Sequence, residues 1–273
     1  MELTINHKTK YTYENNLLGL MQTTKLIPSP YNGLKLIEWT VKRNQEEARN
    51  IYTDAEANNI VNFSNYDDSE NIEFLVIGKV ETIDTMGVYK SIKDRINPFV
   101  YLRETILTEP SDSLKDLARK SCRDQKKIEK LEQAHNLLSL VSNAVEYQPY
   151  TTNIHTTADT ALKQGKGVCQ DHAHIMIATS RLMNIPARYV NGYMHKNKND
   201  SEFQATHAWA ELYIENLGWI GFDPTNDCCP DERYIRVSCG LDASYAAPIR
   251  GIYYGDTKEK LDIHVQTSES SDQ

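Results

Sequence analysis

One cysteine in this chain stands where a nucleophile would be wanted. Gly165-Lys-Gly-Val-Cys169 carries a thiol from a glycine-rich turn to the start of an apolar segment with helical spacing. Val168, His172, Ile175, Ile177, Ala178, Leu182 and Met183 recur at three- and four-residue intervals, and Pro186 lies just beyond. A thiol in the first turn of a helix feels the positive end of the macrodipole and the unpaired amides there, and both favour thiolate. Two later residues suit the same chemistry. His207 lies in Thr206-His-Ala-Trp-Ala-Glu211, which alternates between two faces as a strand does, with Trp209 placed to cover or flank the imidazole. Asp223 closes a second strand pattern, Gly218–Asp223, and Pro224 ends the ladder after it. Imidazole can take the thiol proton and return it to a leaving amine, while an acid holds the ring in one tautomer. A hairpin turning near Asn216–Leu217 would place His207 and Asp223 face to face at its distal ends.

The elements that must position these groups divide the chain in two. Residues 1 to about 105 read as strands: Leu3–Tyr13, Leu34–Lys42, Asn59–Phe63 and Ile72–Ile83 alternate apolar and polar residues, with turn clusters at Pro28–Gly33 and Asn65–Asp68 between them. Strands so spaced without helices predict a small sandwich or partly closed sheet. Thr108–Asp112 marks the boundary, and helical patterns follow from Ser111 to about Cys122 and from Ile128 to Ala144. A short helix opens at Thr157, then the Cys169 helix, then strands at Ala187–Tyr193, Ala205–Ile214, Gly218–Asp223, Tyr234–Cys239, Ile252–Tyr254 and Leu261–Val265. Helices first and strands after predict an α+β unit over 106–267, leaving 268–273 as a frayed tail.

Composition narrows the class. A hydrophobic share of 40% with 25% charged residues is that of a globular chain, and a formal charge of −8 without a basic stripe argues against nucleic acid or an anionic membrane as partner. No apolar run approaches the roughly 20 residues of a membrane span. The segment MELTINHKTKYTY has no basic start followed by an apolar block, so no ordinary signal peptide is expected there. Five cysteines without a CxxC pair point to a reducing cytosol and a cytoplasmic protein, with Cys228 and Cys229 as free thiols rather than a strained vicinal disulfide.

Four ordered stretches carry a resemblance. Gly167-Val-Cys-Gln-Asp171, Ile185–Tyr193, Thr206–Glu211 and Gly218-Trp-Ile-Gly-Phe-Asp-Pro-Thr-Asn226 together resemble the transglutaminase-like superfamily, and most of all its bacterial cysteine-protease-like branch. The resemblance implies a papain-like fold, in which a helix bearing the cysteine packs on an antiparallel sheet bearing the other two residues. It also implies Cys169 as nucleophile, His207 as base and Asp223 as orienter. The first hundred residues are similar to the β-rich region often joined to such domains. Two departures stand out: His172 where relatives have an aromatic residue, and Pro149-Tyr-Thr-Thr-Asn153 without the usual small pair.

Around this triad the sequence offers further candidates. Acyl transfer requires an oxyanion stabiliser; the Cys169 amide is the natural first donor, and Gln164 and Tyr147 are candidates for the second. His172, Trp209, Asp242 and Tyr245 are candidates for the substrate cleft, while Asp171 and Arg188 read as structural. His172 and His174 sit two apart on a helix, about 200° around it, so they do not make a zinc site with Cys169. No metal, calcium site or other cofactor is implied. The expected activity is attack of Cys169 on an amide carbonyl of a peptide or protein, resolved by water. Transamidation or deamidation by the same triad is the alternative, and a catalytically silent binding module the alternative of another class. Oligomeric state is not legible in the sequence.

Overall fold

Alternation of buried and exposed positions builds the first part of the molecule. The computed structural model describes residues 1–65, 71–122, 128–195 and 206–269; the rest of the Asn65–Asp68 turn cluster and the end of the tail lie outside them. In β1 (Glu2–Tyr13) Leu3, Ile5, His7, Thr9, Tyr11 and Tyr13 are all buried and their neighbours are not, the period-two pattern of a strand with one face inward. The next strands are β2 (Gly19–Ile27), β3 (Leu34–Arg43), β4 (Glu46–Glu47), β5 (Tyr52–Thr53), β6 (Asn59–Asn65), β7 (Asn71–Thr82) and β8 (Val88–Tyr89). β2 carries little strand signal in the sequence, because its apolar residues alternate with polar ones only weakly.

Two short 3-10 turns, Pro98–Leu102 and Ile106–Thr108, lead into the helices α1 (Asp112–Ser121) and α2 (Lys130–Ala144). Ser111 caps α1 by accepting the Leu114 amide at 3.3 Å, the role that Ser plays best at a helix start. Then come β9 (Glu146–Tyr147), α3 (Ala158–Gln164), β10 (Lys166–Gly167), α4 (Cys169–Leu182), β11 (Ala187–Met194), β12 (Thr206–Ile214), β13 (Gly218–Phe222), β14 (Tyr234–Gly240), β15 (Ile249–Tyr254) and β16 (Glu259–Glu269). The expected α+β architecture is present, with helices before strands and a helix bearing the cysteine on an antiparallel sheet.

Three main sheets result, in the orders β16-β1-β7-β3-β4, β15-β2-β6-β5 and β14-β11-β12-β13-β8. The first two form a sandwich over Tyr11, Leu20, Leu26, Val41, Phe74 and their neighbours. One feature departs from the sequence reading. β16 pairs antiparallel along the length of β1, and β15 along β2, so the last two strands join the N-terminal sheets rather than the sheet of the second unit. Every residue of α4 from Asp171 to Arg181 is buried. One flank packs on Ala208, Ala210, Leu212 and Ile214 of β12 and the other on α2 and α3. Arg181 locks this arrangement: its guanidinium donates to the carbonyls of Tyr101, Ala187 and Leu241 and to the Thr108 hydroxyl. The chain from 98 to 108 is thereby fixed to the helix that carries Cys169.

Candidate active site

Two glycines set the approach to Cys169. Gly165 ends α3 in the left-handed conformation, φ 65°, which turns the chain into β10. Gly167 has no room for a side chain, since a Cβ there would lie 2.8 Å from Asp171. Asp171 Oδ2 accepts the Val168 amide at 2.8 Å and the Thr152 hydroxyl at 2.6 Å, which caps α4 and pins the loop before α3 to its first turn. Cys169 therefore begins the helix directly, and its backbone N–H is one of the first-turn amides without an intrahelical acceptor. The thiol is partly exposed.

Register puts His207 and Asp223 together. Ala210 pairs with Phe222 across β12 and β13, so the imidazole reaches along the strand from just beyond the last paired rung. His207 Nε2 lies 2.7 Å from Asp223 Oδ2, with the imidazole 6% and the aspartate 0% exposed. Burial pulls the imidazolium pKa down, but the Asp223 carboxylate and a hydrogen bond with Cys169 outweigh it and push it up to about 10. Burial alone would raise the Asp223 carboxyl; His207, Asn226 and Tyr234 together hold it below its usual range. With Nε2–H given to Asp223, Nδ1 is the ring nitrogen left for the Cys169 thiol.

An aromatic plate backs the imidazole. Trp209 is fully buried and stacks on His207, ring centroids 6.2 Å apart and planes at 28°, while Tyr234 meets Trp209 edge-on at 5.5 Å. Gly192, opposite His207 in the ladder, makes this possible: a Cβ there would lie 2.6 Å from the indole and 2.2 Å from the Ile235 carbonyl. On the same face, Glu211 holds Arg188 and Arg236 at 2.6 Å each, all three side chains fully buried, and Arg188 stacks on Trp219 at 3.8 Å.

The remaining candidates separate. Tyr147 sits beside Gly167 across the parallel β9–β10 bridge and is 40% exposed, whereas Gln164 ends α3 facing solvent. His172 does not line a cleft: it is 2% exposed, and its ring nitrogens face the carbonyls of Val168 and Val145, each at 2.9 Å. It ties α4 to the end of α2. Trp209 likewise backs the imidazole from inside the sheet rather than presenting a wall to substrate. Asp242 and Tyr245 line a cavity of about 690 Å³ with Ile106, Glu109, Ile154 and Arg250, whose walls include none of Cys169, His207 or Asp223. Asp242 itself is 3% exposed and caps its own turn by accepting the amides of Ser244 and Tyr245. Two neighbours of Asp223 escaped the sequence reading, Asn226 and Tyr234. The first stood in a recognised motif; the second had no local signal.

Comparison with known proteins bears on the family and the fold. Residues 115–224 match the model of the transglutaminase-like superfamily, and residues 3–81 that of the bacterial transglutaminase-like N-terminal region. The chain carries a transglutaminase-like core behind a bacterial transglutaminase-like N-terminal region. An uncharacterized Mycobacterium leprae protein is 42% identical over 127 residues, covering 45% of this chain and 44% of the relative. A protein-glutamine gamma-glutamyltransferase of Pseudomonas aeruginosa is 30% identical over 110 residues, 38% of this chain and 16% of that one. This chain thus spans less than half of either relative's length. A solved protein of Cytophaga hutchinsonii, described as a putative cysteine protease, shares the fold with a TM-score of 0.75 at 21% identity, over 100% of this chain and 92% of that one. No helix among the described residues is long and apolar enough to cross a membrane.

Proposed function

We propose that the protein is a thiol enzyme that hydrolyses amide bonds of a peptide or protein through Cys169, His207 and Asp223. The Cys169 sulfur attacks the carbonyl carbon with its proton already resting on His207 Nδ1, in keeping with the raised imidazolium pKa. Negative charge then develops on the carbonyl oxygen, and the Cys169 amide at the start of α4 donates to it. His207 returns the proton to the leaving nitrogen as the C–N bond breaks, which leaves a thioester on Cys169. Water, deprotonated by the same imidazole, attacks that thioester and frees the acid and the thiol. Asp223 keeps Nε2 protonated throughout. Tyr147, held beside Gly167, is the stronger candidate for a second oxyanion donor than the solvent-facing Gln164.

The observation that carries this reading is the 2.7 Å contact of His207 Nε2 with a fully buried Asp223, which leaves Nδ1 for a helix-start cysteine. Transamidation by the same triad is a second reading, favoured by the kinship with a protein-glutamine gamma-glutamyltransferase. A silent binding module would have no use for a buried imidazolium held by a buried carboxylate beside a helix-start thiol. A reducing compartment, where the five free thiols would persist, remains the proposed location. The test is turnover of a peptide library with and without a primary amine, read by mass spectrometry. Cleavage that is independent of amine supports hydrolysis; amine incorporation in place of cleavage selects the second reading. Turnover that survives Cys169→Ala would sink both.

A further inference from the structure

A single carboxylate oxygen, Asp223 Oδ2, accepts from three side chains. His207 Nε2 lies at 2.7 Å, Asn226 Nδ2 at 2.6 Å and the Tyr234 hydroxyl at 2.8 Å, while Oδ1 takes the Thr225 amide at 3.0 Å. One bond from the imidazole is enough to hold a tautomer, so the other two side-chain donors call for a reason of their own. Both come from the segment that follows Asp223, folded back on itself by the Asp223 amide donating to the Cys228 carbonyl and the Cys228 amide to the Asp223 carbonyl.

The donors act on two quantities. Hydrogen bonds to the charged form of an acid favour that form, and donors arriving from different residues fix the plane of the carboxylate. The Asn226 carboxamide is oriented by the carboxylate, because its nitrogen is also 3.4 Å from His207 Nε2, which has no lone pair to offer while it donates to Asp223. Tyr234 does more than one thing: its hydroxyl holds the carboxylate, and its ring, 1% exposed, packs edge-on to the Trp209 plate behind the imidazole. Burial and the Asp223 charge push its phenol far above the ordinary range, so it remains a donor at any working pH.

We propose that Asn226 and Tyr234 are positioning residues that keep Asp223 ionised and aimed at His207 Nε2, so that Nδ1 always faces Cys169. The proposal rests on the triad reading above. The titratable groups facing Asp223 are His207, Tyr234 and the Cys228 thiol, which is 3.5 Å from the Tyr234 hydroxyl; Asp231 and Arg233, paired with each other, lie beyond that thiol. His207 stays cationic through the acid range, so Asp223 is the group whose protonation the two donors delay.

The experiment uses isotope-labelled histidine and follows the His207 ring by NMR from acid to neutral pH, in Cys169→Ala protein with and without Tyr234→Phe and Asn226→Ala. Protonation of Asp223 appears as an inflection in the His207 shifts. Each lost donor is expected to move that inflection up by about one pH unit, and both by about two. In the Cys169 enzyme the acid limb of kcat/KM moves with it, kcat falls about tenfold and KM changes little, the pattern of a group that acts on the transition state alone. Asn226→Ser, which restores a donor, recovers part of the shift. Asn226 is exposed, so its truncation leaves the fold intact and decides the matter even if Tyr234→Phe unfolds. An inflection that stays in place, or a fall in kcat with an unmoved acid limb, overturns the proposal. Because the NMR readout needs no turnover, it stands apart from a failure of the hydrolase reading, which would show as absent turnover with the inflection still shifted.

Discussion

Asp223→Asn keeps the shape of the buried orienter and removes its charge. In the parent protein the His207 imidazolium is pushed from 6.5 up to about 10 against the opposing effect of burial. A pKa raised on folding gives stability that is fully present below the unfolded value and lost as pH rises through the folded one. The window therefore runs from about pH 6.5 to about pH 10, at about 1.4 kcal/mol per unit, a ceiling near 5 kcal/mol. Cys169 supplies part of this, and a buried pair returns part to desolvation, so a loss of about 2–3 kcal/mol is expected. The depressed Asp223 carboxyl reports the same contact from the other side and is not added again; its share is lost as pH falls through its own folded pKa. Asparagine brings one further cost. Both carboxylate oxygens accept N–H or O–H donors, so the new NH₂ must face a donor wherever it is placed. The assay is urea unfolding of parent and variant from about pH 6 to about pH 10, within the window set by the histidine. The variant should be less stable near pH 6, with the gap closing toward pH 10. A gap that does not change with pH would mean that the Asp223 charge does not hold the His207 imidazolium.

Three more outcomes follow from the same geometry. Gly192→Ala forces a methyl against the Ile235 carbonyl and the Trp209 ring, and should cost about 1–3 kcal/mol in urea unfolding while lowering activity through the displaced plate. Glu211→Gln leaves the buried Arg236 guanidinium without its counter-ion and Arg188 with Asp94 alone, and should cost about 3–5 kcal/mol, read as a fall in Tm. Iodoacetamide at near-neutral pH should label Cys169 at least about tenfold faster than Cys239, which is fully buried, or Cys229, whose thiol burial pushes up to about 11; equal rates would contradict an activated thiol.

What the sequence showed and what it hid divides along the range of the interactions. The Cys169 helix and the helix starts at Ser111 and Thr157 are local, written in spacing and residue type within a turn or two, and they appear where the pattern places them. The His207 and Asp223 strands are neighbours in sequence, so a hairpin could be inferred from turn residues alone. By contrast β16 pairs with β1 from the opposite end of the chain, and nothing in Glu259–Glu269 names a partner that distant. His172 shows a second limit: periodicity can place it on the helix one turn from Cys169, but not tell that carbonyls from α2 and α4 await its ring. Arg188 reads as structural in the sequence, and its place opposite Glu211 gives the reason. Tyr234 reaches Asp223 from the next strand of the chain, a contact that depends on how the intervening loop folds back.

Everything in the proposed chemistry depends on Cys169 carrying the acyl group. The most direct measurement is mass spectrometry of the acid-quenched protein after brief exposure to an activated acyl substrate, followed by peptide mapping. One acyl mass is expected on the peptide containing Cys169, removed by hydroxylamine as a thioester is, and absent in Cys169→Ala. Acylation of another residue, or undiminished turnover in Cys169→Ala, would contradict it.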